Sequence, residues 1–292
     1  MSERSNHSPQ SAWARQRRKA TMVILAVPLA ALLVLFVLPM IELFWLSFSS
    51  KSGLTLANYL ELSRPVYASL TLYTFKISLL ITLLCLLIGC PLAYFIARIK
   101  GPLSHWIALF LVMSLWLSIL TRTYGWVALL QRNGVINNLL IWAGIIDEPL
   151  PLLYNSFGVV MGMLHLLLPF MVITLLPTFR AIDDSLIRAA LCLGASPLRT
   201  FFKVFVPLTL PGVVAGSILV FVLAIGYFVT PAILGGGHSS TIAMAIKTQV
   251  LTLVDLPLAA ATSVTLLVIS VAALLIYEKF SGVDRVFGGG TR

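Results

Sequence analysis

The sequence predicts an all-α membrane protein, a bundle of six transmembrane helices, and three observations carry that prediction. Of 292 residues, 59% are hydrophobic and 10% charged, whereas a soluble domain carries roughly 25% charge and about 45–50% apolar residues. With mean hydropathy at +1.01, an ordinary water-soluble globule is excluded. Five uncharged runs are each long enough to cross a bilayer, and a sixth reaches that length if it extends past one arginine. Finally, the Lys and Arg residues between those runs are unevenly shared, as loops on the two sides of a membrane are.

A spanning helix needs about 20 apolar residues, because a rise of 1.5 Å per residue must cover roughly 30 Å of hydrocarbon. Ala20–Ile41 and Ile77–Ala97 meet this between flanking charges. Trp106–Thr121 is shorter and extends through Leu130 if Arg122 snorkels or pairs near the interface. A fourth span lies within Leu150–Phe179, starting near Ser156. Val204–Gly237 is too long for one helix, and its Pro207 to Gly212 stretch marks where the membrane portion should begin. Leu256–Tyr277 is the sixth. Val135–Ile146 and Thr241–Val254 are too short or too polar to cross, and read as interfacial or re-entrant pieces.

With both termini on one side, that face collects 14 Lys and Arg against six on the other (Lys51, Arg64, Lys76, Arg122, Arg132 and Lys247). The net charge of +10 is therefore a topology signal placing both termini in the cytoplasm. A nucleic-acid partner loses its main support, and membrane lipid is the expected surround. Residues 1–19 and 281–292 read as cytoplasmic tails, the first flexible, around a six-span domain at 20–280. The first apolar run exceeds a signal peptide's core and has no convincing small-residue cleavage site, so it is expected to stay as a span.

Catalytic and metal-binding patterns are absent. His7, His105, His165 and His238 are scattered, with no HExxH, and Cys85, Cys90 and Cys192 form no CxxC pair. The glycine run at Gly235 lacks the GK[ST] ending of a phosphate-binding loop. No cofactor or metal is expected on this chain, and no hydrolysis of ATP. His165 has two readings, a proton relay or a neutral imidazole bonded within the bundle. An ion-gradient carrier would want ionisable groups inside its spans, and this reading places none there beyond His165.

The connection from about 180 to 211 is the most informative segment. Asp183 or Asp184 can cap a short helix in which Leu186, Ala189, Ala190 and Leu193 share one face. Gly194 then permits a left-handed termination, and Ser196-Pro197 opens a second helix. Two short helices meeting at a glycine make a knob that fits a groove on another protein.

This segment resembles the coupling loop of binding-protein-dependent ABC importer permeases, whose pattern is E-A-A, three residues, G, nine residues, then I-x-L-P. Ala189-Ala190, Gly194 and Val204-Phe205-Val206-Pro207 reproduce the spacing, while Arg188 stands where the family's glutamate is usual. The resemblance implies the type I importer permease fold and an ATPase contact through Asp184, Arg188, Ala189, Ala190, Gly194, Ala195, Pro197 and Pro207. It does not carry over the family's charge contact, which the arginine reverses. The stretches Arg122-Thr-Tyr-Gly-Trp126 with Leu129 to Asn137, and Gly226 to Gly236, resemble the spermidine/putrescine-type branch. That branch implies a second permease subunit, a paralogue of this one, with two cytoplasmic ATPase subunits that use ATP and Mg, and a periplasmic solute-binding protein. The expected place is the bacterial inner membrane, and the expected solute is polyamine-like, with an opine or another amine as the alternative.

A cationic solute has some physical support. Five of the ten acids (Glu42, Glu61, Asp147, Glu148 and Asp255) fall on the outer face. Tyr73, Trp116, Tyr124, Trp126 and Tyr227 can offer π faces to an ammonium group. These aromatics equally fit an interfacial belt, and the acids fit solvated loops. Glu42, Asp255 and the five aromatics are the candidate solute-pathway residues. Pro231, with glycines beyond the fifth span, reads as a hinge or as a helix terminator.

Overall fold

The computed structural model describes residues 9–50, 53–99, 101–237 and 239–281. Five helical stretches among the described residues are long and apolar enough to cross a membrane, and the count reaches the expected six when one helix pair, bent sharply at a short break, is taken as a single span. Helix α1 (Pro9–Ser47) contains the first. It begins inside the segment expected as a flexible tail and carries Glu42, expected in a loop, as a helical residue exposed on α1 itself. A two-residue hairpin follows, β1 (Ser49–Ser50) and β2 (Gly53–Leu54), and then the short α2 (Ala57–Leu62). The amide of Asn58 on α2 donates to the Ser47 and Ser49 carbonyls, both at 3.0 Å, tying α2 to the end of α1.

The second span is α3 (Pro65–Arg98) and the fourth is α7 (Ser156–Ala181). The fifth continues from α9 (Pro197–Thr200) into α10 (Val206–Gly226), and the sixth is α13 (Leu256–Ser281). Helices α3, α7 and α10 pack on one another around a buried core that includes Ile81, Met163, Leu167, Met171, Leu175 and Val220. Lipid tails are as apolar as leucine, so association in a bilayer depends on close packing rather than on expelling water. Gly212 illustrates it, since a Cβ there would overlap the Thr178 side chain of α7. Helix α13 packs against α1 and α12.

The third span departs from expectation. The expected helix through Thr121 to Leu130 is instead broken at Leu117 and Ser118, both extended. Helix α4 (Pro102–Trp116) and the following segment, α5 (Ile119–Leu130) with α6 (Val135–Trp142), meet at a bend of 98°. The bend turns α5 onto α7, and Arg122 is buried at 9% exposure rather than reaching an interface.

The long fifth run is also divided differently. Its helix starts at Pro197, ten residues before Pro207, and stops at Gly226. After Tyr227 and Phe228 the chain re-forms as α11 (Val229–Leu234), with Pro231 buried inside it. Pro231 therefore neither ends the fifth span nor sits in a bare hinge. The two expected non-crossing pieces are α6 and α12 (Ile242–Leu251). The Thr241 hydroxyl caps α12, and Ile242 N–H donates to Thr74 Oγ1 of α3 at 2.9 Å.

Candidate functional site

Helix α8 (Asp184–Cys192) follows α7 after two residues. Of the two carboxylates expected to cap it, Asp183 does so, accepting from Ser185 N–H at 2.8 Å. That bond, with Arg188 nearby, holds the Asp183 carboxyl below the usual carboxylate range. Asp184 opens the helix, but its side chain lies outside the described residues.

The helix ends on Gly194, whose φ is +84°. Gly194 N–H donates to Leu191 O at 3.0 Å and Ala195 N–H to Ala190 O at 3.1 Å. This is the paired closure of a Schellman motif, which needs a left-handed residue at that place. Ser196 then accepts from Arg199 N–H, with Pro197 at the first helical position. The expected second short helix is α9, but it is not separate. A π turn at Phe201–Phe205 carries it directly into α10, past Pro207. The knob is thus one short helix on a glycine turn, at the foot of a spanning helix.

Arg188, Ala189 and Leu193 are exposed on α8 and its cap, while Ile187 and Ala190 are half-buried. An apolar and small-residue face is left open on this subunit. Beneath it, rings from three elements stack. Phe179 of α7 lies 5.8 Å from Phe205, and Phe205 lies 5.5 Å from Phe201. Tyr94 of α3 meets Phe179 and Phe205 edge-on, and Arg98 sits over the Tyr94 ring at 5.4 Å. Arg180 reaches Ser104 Oγ at 3.2 Å, and Ser104 in turn donates to Ile96 O. Helix α8 thus packs on α9 and the π turn, whose rings contact α3 and α7.

The expected solute-pathway residues divide. Trp126 and Tyr227 come together at the other feature of the core, where α5 and the α10–α11 break approach α7. Trp126 Nε1–H donates to His165 Nδ1 at 3.2 Å, so the imidazole is bonded within the bundle. Arg122, one turn before Trp126 on α5, lies within electrostatic reach of Tyr227 and His165. Its Nε and Nη1 are buried with no hydrogen-bond partner among the described residues. The sequence reading placed Arg122 at the interface, and this buried cation corrects it. The signal was present, because residues four apart share a helix face and Arg122 and Trp126 are so spaced.

The remaining candidates are apart from that cluster. Tyr73 bonds Ser156 through its hydroxyl at 3.1 Å, joining α3 to the start of α7. Trp116 is 88% exposed at the end of α4, and Tyr124 is exposed on α5. Asp255 is exposed and caps α13 by accepting from Leu258 N–H at 3.1 Å. Among the other outer acids, Glu61 is paired with Arg64 at 2.8 Å. No cluster of His, Cys, Asp or Glu suited to a metal ion occurs among the described residues.

Residues 86–281 match the family described as binding-protein-dependent transport system inner membrane component. The spermidine/putrescine transport system permease protein PotB of Escherichia coli (strain K12) is 36% identical over 263 residues, covering 87% of this chain and 96% of that one. The molybdenum transport system permease protein ModB of Mycobacterium bovis is 31% identical over 221 residues, covering 74% and 79%. In three dimensions the chain resembles one from the crystal structure of a bacterial alginate ABC transporter in complex with alginate pentasaccharide-bound periplasmic protein. The TM-score is 0.74 at 19% identity, with 92% of this chain and 96% of that one covered.

Proposed function

The chain belongs to the family of binding-protein-dependent transport system inner membrane components, and on that premise we propose that it forms half of an ATP-driven import pathway for a polyamine such as spermidine or putrescine. The observation that carries the coupling part is the Gly194 turn, which presents α8 at the foot of a continuous α9–α10 span. Similarity to PotB over most of both chains supports the solute. A second permease subunit, two ATPase subunits that hold ATP and Mg, and a periplasmic solute-binding protein complete the machine. Both termini and α8 face the cytoplasm in this reading, on the side richer in Lys and Arg.

The chain's own part is mechanical. The ATPases grip the open face around Ala189 and Leu193, and their closure displaces α8. Because α8 is held between α7 and α9, that displacement shifts α7 and α10 against α3 and reorients the pathway. Nucleotide must favour one arrangement through contacts that differ between the two. The chain needs no catalytic residue for this.

An ammonium group is repelled by the Arg122 guanidinium, so the Trp126–His165–Tyr227 cluster acts as a gate rather than as the cation's seat. Outer-face acids then contribute the attraction, with Glu42 and Asp255 the candidates, neither of them in an ion pair among the described residues. Uptake of labelled spermidine and putrescine by the reconstituted complex, with and without ATP, is the test. ATP-dependent uptake of either amine supports the proposal. A complex that hydrolyses ATP on addition of its binding protein but moves no amine overturns the solute and leaves the machinery standing. ModB is also a relative, so another small solute on the same machinery is the alternative that this outcome would favour.

A further inference from the structure

We infer that Arg122 pairs with a carboxylate in a span of the second permease subunit, and that this subunit is a different chain rather than a second copy. The inference rests on the import reading above, in which two permeases share one pathway and the solute is a polyamine.

A guanidinium carries N–H donors and no acceptor, and Arg122 spends none of its donors on this chain. The residue is 9% exposed, and its Nε and Nη1 are buried without a hydrogen-bond partner. Nη2 donates no bond among the described residues either, and it is not sealed from outside. The groups within electrostatic reach are Tyr227 and His165, neither of them a carboxylate. Among the described residues the ion pair is Arg64 with Glu61, and Arg122 makes none. A buried charge left without a partner is costly, and ionisable residues in spans pair across the bundle. An anion from outside this chain completes the site.

Position decides the source of that anion. Trp126, one turn after Arg122, is bonded to His165, which lies nine residues after Ser156 and 16 before Ala181 in α7. The cluster therefore lies within the length of a span rather than at its end. It is open on one side of this subunit, because His165, Tyr124, Gly125 and Gly226 are exposed and Trp126 and Tyr227 are half-buried. A Cβ at Gly125 or Gly226 would meet nothing within 4 Å, which leaves room for another helix to come close. Ionisable groups within spans face protein or water rather than lipid tails.

A polyamine carries ammonium groups and no anion, so the solute does not supply the missing partner. A carboxylate on the facing subunit does. No Asp or Glu occurs on any helix from α3 to α7 or from α9 to α12, so a second copy of this chain has none to offer from these helices. The pair also has a use in transport. An ammonium group of the solute competes with Arg122 for the same carboxylate, so the contact that bars the pathway is one that a cation opens.

The test uses the complete transporter, purified through a tag on this chain. Arg122→Met should reduce the co-purifying second permease several-fold, while Arg122→Lys should retain most of it. Each Asp or Glu in the spans of the second permease is then replaced by Lys, alone and together with Arg122→Asp. One of these replacements should lose the pair alone and recover it with Arg122→Asp. A misfolded chain does not produce recovery, so the charge swap decides even where a single variant fails to assemble. Co-purification at the parent level in Arg122→Met, a second permease identical to this chain, or no acid that gives recovery would overturn the proposal. So would ATP-dependent uptake of an amino acid that Arg122→Met abolishes with the pair intact, which assigns the guanidinium to a solute carboxylate. Uptake of spermidine and putrescine by the parent reads the import proposal separately. A parent that moves neither amine while the charge swap recovers the pair strikes the solute and leaves this contact standing.

Discussion

The Ala195 amide donates to the Ala190 carbonyl at 3.1 Å across Gly194, whose φ of +84° makes the contact possible. That bond sets the angle between α8 and the foot of α10, and so the position of the knob relative to three spanning helices. A Cβ at Gly194 meets nothing within 4 Å. The demand for glycine here is conformational, not steric.

A first prediction follows from that distinction. Gly194→Asn should retain transport close to the parent, because asparagine enters the left-handed region readily. Gly194→Val is strained there by about 1–3 kcal/mol and should lose transport. Parallel uptake assays at matched protein level separate them, and equal loss in both variants would make the position steric.

The Asp183 cap gives a pH dependence. Its carboxyl is held below the usual range by the Ser185 amide, so its contribution to α8 is complete above the ordinary carboxylate pKa and is lost as pH falls through the lowered value. Hydrogen exchange at the Ser185 amide should therefore stay slow, relative to its intrinsic rate, from neutral pH down to mildly acidic pH. Asp183→Ala should speed it at all of these values. Protection unchanged in that variant would remove the cap from the account.

Close packing of α7 on α10 is tested at Gly212. Gly212→Ala places a methyl against Thr178, and overpacking of this kind costs typically about 1–3 kcal/mol. Thermal unfolding of the purified complex should show a lower midpoint, partly recovered in the double variant with Thr178→Ala. An unshifted midpoint would contradict the contact.

Trp126→Phe keeps an aromatic ring, though a smaller one, and deletes the N–H given to His165. A net loss of about 0.5–1.5 kcal/mol is expected from one such hydrogen bond. The midpoint should fall by a similar amount in Trp126→Phe and His165→Ala, with little further loss in the double variant. Additive losses would mean that the two side chains act separately.

Much of the fold was legible because bilayer thickness leaves few choices for an apolar run. The cap at Asp183, the turn at Gly194 and the N-cap at Ser196 were legible too, since each depends on local backbone chemistry. The break at Leu117–Ser118 was not, as neither residue is a helix breaker and the bend is set by packing of α5 on α7. Burial of Arg122 depends on that bend and was hidden with it. Proline misled at the fifth span. Pro207 falls at the second position of α10, where the π turn before it carries the backbone through, so the helix continues where a start was expected.

The coupling loop is tested most directly by ATP hydrolysis in the reconstituted complex with and without the loaded binding protein, comparing parent, Gly194→Val and Ala189→Asp. Gly194→Val should insert, accumulate and co-purify with the ATPase while its stimulated hydrolysis falls to the basal rate. Ala189→Asp, which brings an unpaired charge to a close contact, should lose the ATPase itself. Stimulation at the parent level in both variants would contradict α8 as the coupling element.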